Sequence, residues 1–215
     1  MILLGLLILS DSPLRAESYF DGQPFFGVSG MLAAARDTRI DSGTGAAVPA
    51  LVPDSEIVTQ TGYGISAYGG WLFDSNWRLG LELSHRSVGL DQVTASSGAS
   101  PLTGNLTLNA AFINLAREFR GPSFVTPYLG IGAGAAHHSL EIETLNFNPG
   151  PPELTAVSPA FQAMVGINLE TSEDVDLVVG YRYVNLYRPD YSEFTSDFME
   201  FHNFEVGFKL YPEDW

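Results

Sequence analysis

The chain of 215 residues contains no cysteine and a single lysine, Lys209. Without cysteine it can form no disulfide framework and no zinc–thiolate site, and it has no thiol nucleophile. Charged residues make up only 16% of the chain, and the excess of acidic residues gives a formal net charge of −15. Because nucleic acids and anionic headgroups are bound by clusters of basic residues, we expect neither nucleic-acid binding nor a polybasic membrane contact.

Long apolar runs are also scarce, and the one that stands out covers residues 2–9. This run is far shorter than the roughly 20 residues of a transmembrane helix, but it has the length of the apolar segment of a signal peptide. No Lys or Arg precedes Arg15, so the usual positive region is missing. We predict a signal peptide over residues 1–16, with a buried first strand or helix as the alternative, and a single domain over residues 17–215. Any crossing of a membrane then has to be made by strands.

Apolar residues make up 45% of the chain, and they alternate with polar or small residues in eight segments, as in strands with one buried face. The segments cover residues 24–40, 61–73, 77–89, 105–119, 124–142, 159–170, 175–188 and 200–211. The links between them alternate between long (41–60, 90–104, 143–158, 189–199) and short (74–76, 120–123, 171–174). All long links therefore emerge at one end, as in outer-membrane barrels. We predict an all-β fold, an eight-stranded antiparallel up-and-down transmembrane β-barrel.

The segment from Tyr63 to Arg86 has the pattern of a hairpin whose second strand has two unlike faces. One face carries Leu79, Leu81 and Leu83, and the other carries charged side chains. In a soluble ligand-binding barrel of lipocalin type, the apolar face would point into an apolar and roomy lumen. In a membrane barrel, the apolar face contacts lipid and the charges pair inside.

Charged side chains recur on the same face in the later strands, which favours the membrane barrel over the soluble one. The predicted lumen set comprises Arg78, Glu82, Arg86, Asp176, Arg182, Glu205 and Lys209. Isolated buried charges are very costly, so we expect a paired network in which the hairpin charges find partners such as Glu205 and Asp176.

Aromatic residues gather around the short links. We interpret this set as a girdle at the membrane boundary on the turn side, comprising Trp71, Phe73, Trp77, Phe119, Phe124 and Tyr128. Glycines 130, 132 and 134 alternate within an extended segment with no helix pattern after them, so they do not form a dinucleotide loop. We expect them to line the barrel wall, and we expect no cofactor.

One cluster combines histidine, serine and an acid: His137, Ser139 and Glu141. Outer-membrane lipid A deacylases are similar in size to this chain and place such a set on a barrel wall. However, alternate residues on one strand lie about 6.5–7 Å apart, whereas a nucleophile and its base need hydrogen-bond contact. A polar upper rim is the plainer interpretation, and catalysis is the alternative. The adjacent His137 and His138 point to opposite faces, so we expect no metal pair.

Taken together, the motifs RLGLELSHR (78–86), TPYLGIGAGAA (126–136), VGYRYVNL (179–186) and HNFEVGFKLY (202–211) resemble the eight-stranded outer-membrane β-barrel family of Gram-negative bacteria. This family includes the OmpA-like transmembrane domain and the opacity-type surface proteins. The resemblance covers roughly residues 24–211. It implies export, folding by the barrel-assembly machinery, loops outside the cell, and turns and termini in the periplasm. The chain departs from the family's closing aromatic signal because residues 212–214 follow Tyr211 before Trp215. We expect no peptidoglycan-binding domain and therefore no wall-anchoring role.

A barrel of eight strands is just filled by its own side chains, which excludes a general diffusion pore. We therefore expect a structural, surface-exposed protein whose partners are outer-membrane lipid and lipopolysaccharide, with loops that contact a host or surface ligand. The acidic residues Asp190, Glu193, Asp197 and Glu200 fit a solvated loop, since their spacing matches no calcium loop.

Overall fold

A computed structural model describes residues 22–43, 53–96, 98–145, 148–149, 153–191 and 194–212. The predicted signal peptide, residues 1–16, and the terminal Trp215 lie outside these described residues. Within the described part of the chain, no helix is long and apolar enough to cross a membrane, a finding that does not bear on strands.

Eight long strands form a closed antiparallel ring, which confirms the predicted fold. They are β1 (Gly22–Ala35), β2 (Thr61–Phe73), β3 (Trp77–Ala95), β4 (Gly98–Glu118), β5 (Val125–Leu145), β6 (Leu154–Ser172), β7 (Val175–Leu186) and β8 (Met199–Leu210). Each strand pairs with its neighbour in sequence, and β1 closes the ring against β8, with Phe26 opposite Leu210. A closed ring leaves no exposed sheet edge, which is what a bilayer requires of strands.

The tight turns lie at one end of the ring, which we call the turn end. Between β2 and β3, Asn76 has a φ of 61° and donates its backbone N–H to the Phe73 carbonyl oxygen at 2.8 Å. Asparagine tolerates this left-handed conformation better than most residues, which explains its position in the turn.

At the opposite end, the strands are longer than the alternation pattern predicted. β4 and β5 each have 21 residues, and β3 and β6 each have 19. About 9–11 residues suffice for a tilted strand to cross a membrane, so roughly half of each strand projects beyond that length. The predicted long links at 90–104 and 143–158 are therefore largely strand rather than loop.

Three short strands widen the sheet at this end. Glu56–Thr59 pairs with β3, Thr38–Gly43 pairs with Glu56–Thr59, and Phe194–Ser196 pairs with Thr38–Gly43. A fourth, Asn148–Pro149, pairs with β5. We call the part of the barrel built from these strands and the projecting ends of β3–β6 the extension.

The polarity of the wall reverses along the strands. Near the turn end, Leu81 points outward with 66% of its surface exposed, while Glu82 points inward with 1% exposed. In the extension, Leu106 and Leu108 point inward and are buried, while Thr107 between them lies on the outer face. The lower part, which we call the turn section, is apolar outside and charged inside, and the extension has the opposite pattern.

The reversal occurs at one row of paired residues, which we call the switch row. It runs across five adjacent strands through Ile65, His85, Asn109, His137 and Val157. Above this row, the buried apolar side chains form a single core inside the barrel mouth. Its large members include Ile40, Ile57, Val88, Leu90, Val93, Leu102, Leu106, Leu108, Leu140, Ile142, Leu186, Tyr191, Phe194 and Phe201.

Candidate functional site

All seven members of the predicted lumen set point inward. Six of them lie in the turn section, and Arg86 lies just above the switch row, opposite Leu108. Arg182 on β7 lies at the centre of one group. Its Nη1 donates to Glu82 on β3, and its Nη2 donates to the two carboxylate oxygens of Glu205 on β8 at 3.1 and 2.8 Å. One guanidinium therefore bridges two buried carboxylates from different strands through charge-assisted hydrogen bonds.

Neutral amides complete this group. Asn114 donates to Glu82 Oε2 at 2.7 Å, and Gln162 donates to the same oxygen at 3.1 Å. Gln162 also donates to Asn114 Oδ1 at 2.6 Å. The amides come from β4 and β6, so this network ties together five of the eight strands.

A second group lies nearer the turn end, around Glu118. Lys209 Nζ lies 2.8 Å from Glu118 Oε1 and 3.1 Å from Asp176 Oδ2. Arg78 Nη1 contacts Glu118 Oε1 at 3.2 Å, and Arg120 Nε contacts Glu118 Oε2 at 3.1 Å. One buried carboxylate thus receives three basic side chains.

Glu118 was missing from the predicted lumen set, which contained four basic and three acidic residues. Adding Glu118 brings the predicted set to four basic and four acidic residues, and the partly exposed Arg120 joins the Glu118 group as a further basic side chain. The signal that could have found it is present in the sequence, because Glu118 shares the strand phase of Asn114, whose neighbours Ile113 and Leu115 form the apolar outward face.

The expected partners of the hairpin charges were wrong in detail. Glu82 pairs with Arg182, and Arg78 pairs with Glu118, rather than with Glu205 or Asp176. Among the described residues Arg86 forms no ion pair, although it is fully buried; its Nε donates to Asn203 Oδ1 at 3.0 Å and its Nη1 to Ser84 Oγ at 2.9 Å. The bridging position of Arg182 occupies both nearby carboxylates, which leaves neutral acceptors for Arg86.

The lumen is closely packed. A cavity of about 30 Å³ remains beside Glu82, Arg182 and Glu205, room for about one water molecule. The glycines of β5 make this packing possible, since a Cβ on Gly132 would lie 2.1 Å from Asn114 Oδ1. The turn section therefore contains no passage for solutes in the described residues.

Five of the six predicted girdle aromatics lie around the turn end. Trp71, Trp77, Phe119 and Phe124 are exposed on the outer surface, and Phe73 is half-buried. Their position fits the boundary of an apolar band, so the girdle remains a prediction for these five.

Tyr128 is the exception, and its assignment to the girdle was wrong. Only 2% of its surface is exposed, its hydroxyl donates to Glu205 Oε1 at 3.3 Å, and its ring centroid lies 5.0 Å from the Arg78 guanidinium carbon. The strand phase explains this placement, because the neighbouring Leu129 points outward.

The catalytic candidates His137, Ser139 and Glu141 lie on the outer wall of β5, as the strand phase predicts. Ser139 Oγ donates to the carboxylate of Glu153 and not to an imidazole. Within the described part of the chain, the His137 side chain forms no hydrogen bond. A serine without an imidazole partner lacks the base that would activate it. The described residues also contain no group of three metal-ligating side chains.

His138 points the other way, into the apolar core of the extension. Its Nδ1 lies 2.8 Å from the Tyr191 hydroxyl, and its Nε2 lies 3.0 Å from Ser158 Oγ. Burial lowers the pKa of His138 from 6.5 to about 4, and the neighbouring His137 adds to this shift. The imidazole is therefore neutral at pH 7 and connects β5, β6 and the segment that carries Tyr191.

Comparisons with known proteins agree with this geometry. The family model described as "Outer membrane protein beta-barrel domain" matches residues 2–211. The crystal structure of Neisserial surface protein A (NspA) is similar, with a TM-score of 0.58 at 15% identity, over 87% of this chain and 96% of that one. That of the outer membrane protein OprG from Pseudomonas aeruginosa also has a TM-score of 0.58, at 11% identity, over 90% and 97% of the two chains.

A search of curated proteins found no match. At such low identities, the likeness to NspA and OprG concerns the fold alone. The family model, by contrast, covers nearly the whole chain. The chain therefore belongs to the outer membrane protein beta-barrel domain family, and its place is the bacterial outer membrane.

Proposed function

We propose that the protein is a structural protein of the outer membrane that presents the strand-built extension to the cell's surroundings and performs no catalysis. The observation that carries this proposal is the reversal of wall polarity at the switch row. A wall that is apolar outside and charged inside suits lipid, whereas a wall that is polar outside and apolar inside suits water.

The orientation follows the usual architecture of such barrels, with short turns in the periplasm and long elements outside the cell. The extension then stands above the outer leaflet. Its exposed charges are mostly acidic and include Asp54, Glu141 and Glu153. An acidic surface keeps this part of the protein hydrated and offers a contact face for a host or surface ligand. We also propose that the barrel-assembly machinery recognises β8, the closing strand.

The filled interior argues against transport as the main activity. The charged groups fill the turn section, and the apolar core fills the extension. Solutes would have to displace both. The remaining candidate role is contact made by the outer surface.

A shortened hairpin tests the contact role. Residues 93–100, at the tip of the β3–β4 hairpin, are replaced by Asn-Gly, which closes a two-residue hairpin. The barrel should still migrate differently with and without boiling, which shows that it folds. Cells displaying the shortened protein should adhere less to mammalian cell layers than cells displaying the full protein. Equal adhesion by both would contradict the proposal.

The absence of catalysis has its own test, because the Ser139 alternative predicts a lipid A hydrolase. The full protein and the Ser139→Ala variant are produced in the same Gram-negative host, and lipid A is analysed by mass spectrometry. We expect identical acylation in both strains. Loss of an acyl chain that depends on Ser139 would replace our proposal with the hydrolase.

A further inference from the structure

The outer wall carries an apolar groove just below the switch row. The groove has a volume of about 980 Å³. Its raised sides include Ile65, Leu83 and Val157, which are 63%, 67% and 70% exposed. The groove lies on the outer wall, since its exposed lining side chains point outward, whereas the inward-facing Ser66 and Ala136, which also belong to its lining, are buried.

Small residues form the floor of this groove. Gly30, Ala67, Ala111 and Ala135 all point outward and line it. A Cβ added to Gly30 would meet nothing within 4 Å, so space is open above the backbone there. Outward positions of a barrel wall normally carry large apolar side chains, and here β1, β2, β4 and β5 replace them with hydrogen or methyl.

A second groove follows in the direction of the turn end. It has a volume of about 420 Å³ and is lined by Ile113, Ala133 and Phe161, among others. Ile113 and Ala133 are the next outward residues of β4 and β5 after Ala111 and Ala135. The two grooves therefore follow one another along the same strands, within the apolar band.

The switch row forms the upper edge of the larger groove. His85 Nδ1 lies 2.8 Å from Asn109 Oδ1, and His137 lies opposite Asn109 on the next strand. Thr107 and Ser139 form the following outward row. The edge thus offers imidazole, amide and hydroxyl groups in a row, and no lysine or arginine belongs to either row.

We propose that the two grooves bind the acyl chains of a lipid A molecule, whose hydroxyl- and amide-bearing sugar headgroup contacts the switch row. Lipid hydrocarbon is what surrounds an apolar band in a membrane, so it is the material that fills the grooves. Two successive grooves suit a lipid with several chains. The imidazole, amide and hydroxyl groups at the edge can hydrogen-bond the hydroxyls, amides and phosphate oxygens of that headgroup. The proposal depends on the membrane location and not on the contact role of the extension.

Native mass spectrometry of the protein, extracted from the outer membrane in mild detergent, tests this proposal. The wild-type protein should retain one lipid A molecule, identified by its mass. Ala111→Phe combined with Ala135→Phe fills the floor of the groove without touching the lumen. If the new rings keep even two or three methylene groups of an acyl chain out of the groove, the affinity for the lipid falls about tenfold or more. Retention should therefore fall at least about tenfold.

The matched control is Ala163→Phe, which adds the same ring to an outward position of β6 that lines neither groove. This variant should retain lipid A like the wild type, and all variants should keep their heat-modifiable mobility. A wild-type protein that retains only detergent or phospholipid would overturn the proposal. Equal loss of lipid A from the groove variant and the control would also overturn it.

Discussion

Lys209, the single lysine of the chain, donates to Glu118 at 2.8 Å, with neither side chain exposed. The pair joins β8 to β4 across the lumen, and Arg78 and Arg120 approach the same carboxylate. Removing Glu118 therefore leaves Arg78 without its ion-pair partner and leaves Lys209 with Asp176 alone.

Glu118→Leu should destabilise the barrel strongly. Removing one partner of a buried ion pair typically costs about 3–5 kcal/mol, because the other charge stays buried and uncompensated. Urea unfolding in lipid vesicles would measure this loss. The control is Glu170→Leu, an exposed acid at the same end, which should change stability by less than about 0.5 kcal/mol. Similar losses in both variants would contradict the role of Glu118.

Arg182→Met should also destabilise the barrel, because it leaves Glu82 and Glu205 facing each other across the lumen without a bridging cation. Adding Glu82→Gln and Glu205→Gln removes the uncompensated charges. Since a buried ion network can often be replaced by neutral groups at little cost, the triple variant should recover most of the loss. Urea unfolding of the two variants would show this recovery, and a triple variant less stable than the single one would refute it.

Gly132→Val should disrupt packing, because a Cβ there would lie 2.1 Å from Asn114 Oδ1 and 2.9 Å from Gln162 Cγ. Overpacking of this kind typically costs about 1–3 kcal/mol. Gly30→Val is the matched control, because it makes the same change in a strand where the new side chain meets open space. The temperature at which half of the fast-migrating gel band is lost should be lower for Gly132→Val than for Gly30→Val. Equal midpoints would contradict the packed lumen.

The extension should lose stability in mild acid. The pKa of His138 is lowered to about 4 from 6.5, so the unfolded state takes up a proton first as the pH falls. The stability that the neutral imidazole contributes is complete above about pH 6.5 and is lost progressively toward pH 4. Hydrogen exchange of residues 154–158 and 194–196 should speed up across this window.

His138→Gln provides the control for this pH dependence, because glutamine does not titrate. Its exchange rates in the extension, corrected for the intrinsic effect of pH, should vary less between pH 6.5 and pH 4. The same variation in both proteins would show that another group is responsible.

Much of the barrel could be predicted from the sequence. The alternation of apolar with polar or small residues marks the strands, and the lengths of the links show at which end the strands are connected. Tyr128 and Glu118 are the two lumen residues that the sequence prediction missed. Tyr128 was assigned to the girdle and Glu118 was not assigned, although the outward positions of Leu129 and Leu115 place both side chains in the lumen. A strand keeps its phase up to its last residue, since successive side chains point to opposite faces.

The extension was missed for a different reason. Residues 90–104 are rich in small, polar and turn-forming residues, which is typical of loops. Yet Leu90, Val93 and Leu102 point inward and join the core of the barrel mouth. At the switch row, the apolar side chains change from the outer face of the strands to the inner face. A prediction that follows only the outward apolar residues ends each strand at this row and misses the extension. The pairing of Arg182 with Glu82 and Glu205 likewise depends on distances across the lumen, which no local pattern contains.

The reversal of wall polarity is the central claim, and the absence of cysteine allows a direct test. Single cysteines at outward positions can each carry one spin label, whose contact with dissolved oxygen or with a water-soluble nickel complex is measured in lipid vesicles. Labels at Leu81 and Ile113, below the switch row, should contact oxygen in lipid, and labels at Asn105 and Glu141, above it, should contact the nickel complex. A label at Ile113 that contacts the nickel complex, or one at Asn105 that lies in lipid, would contradict the account.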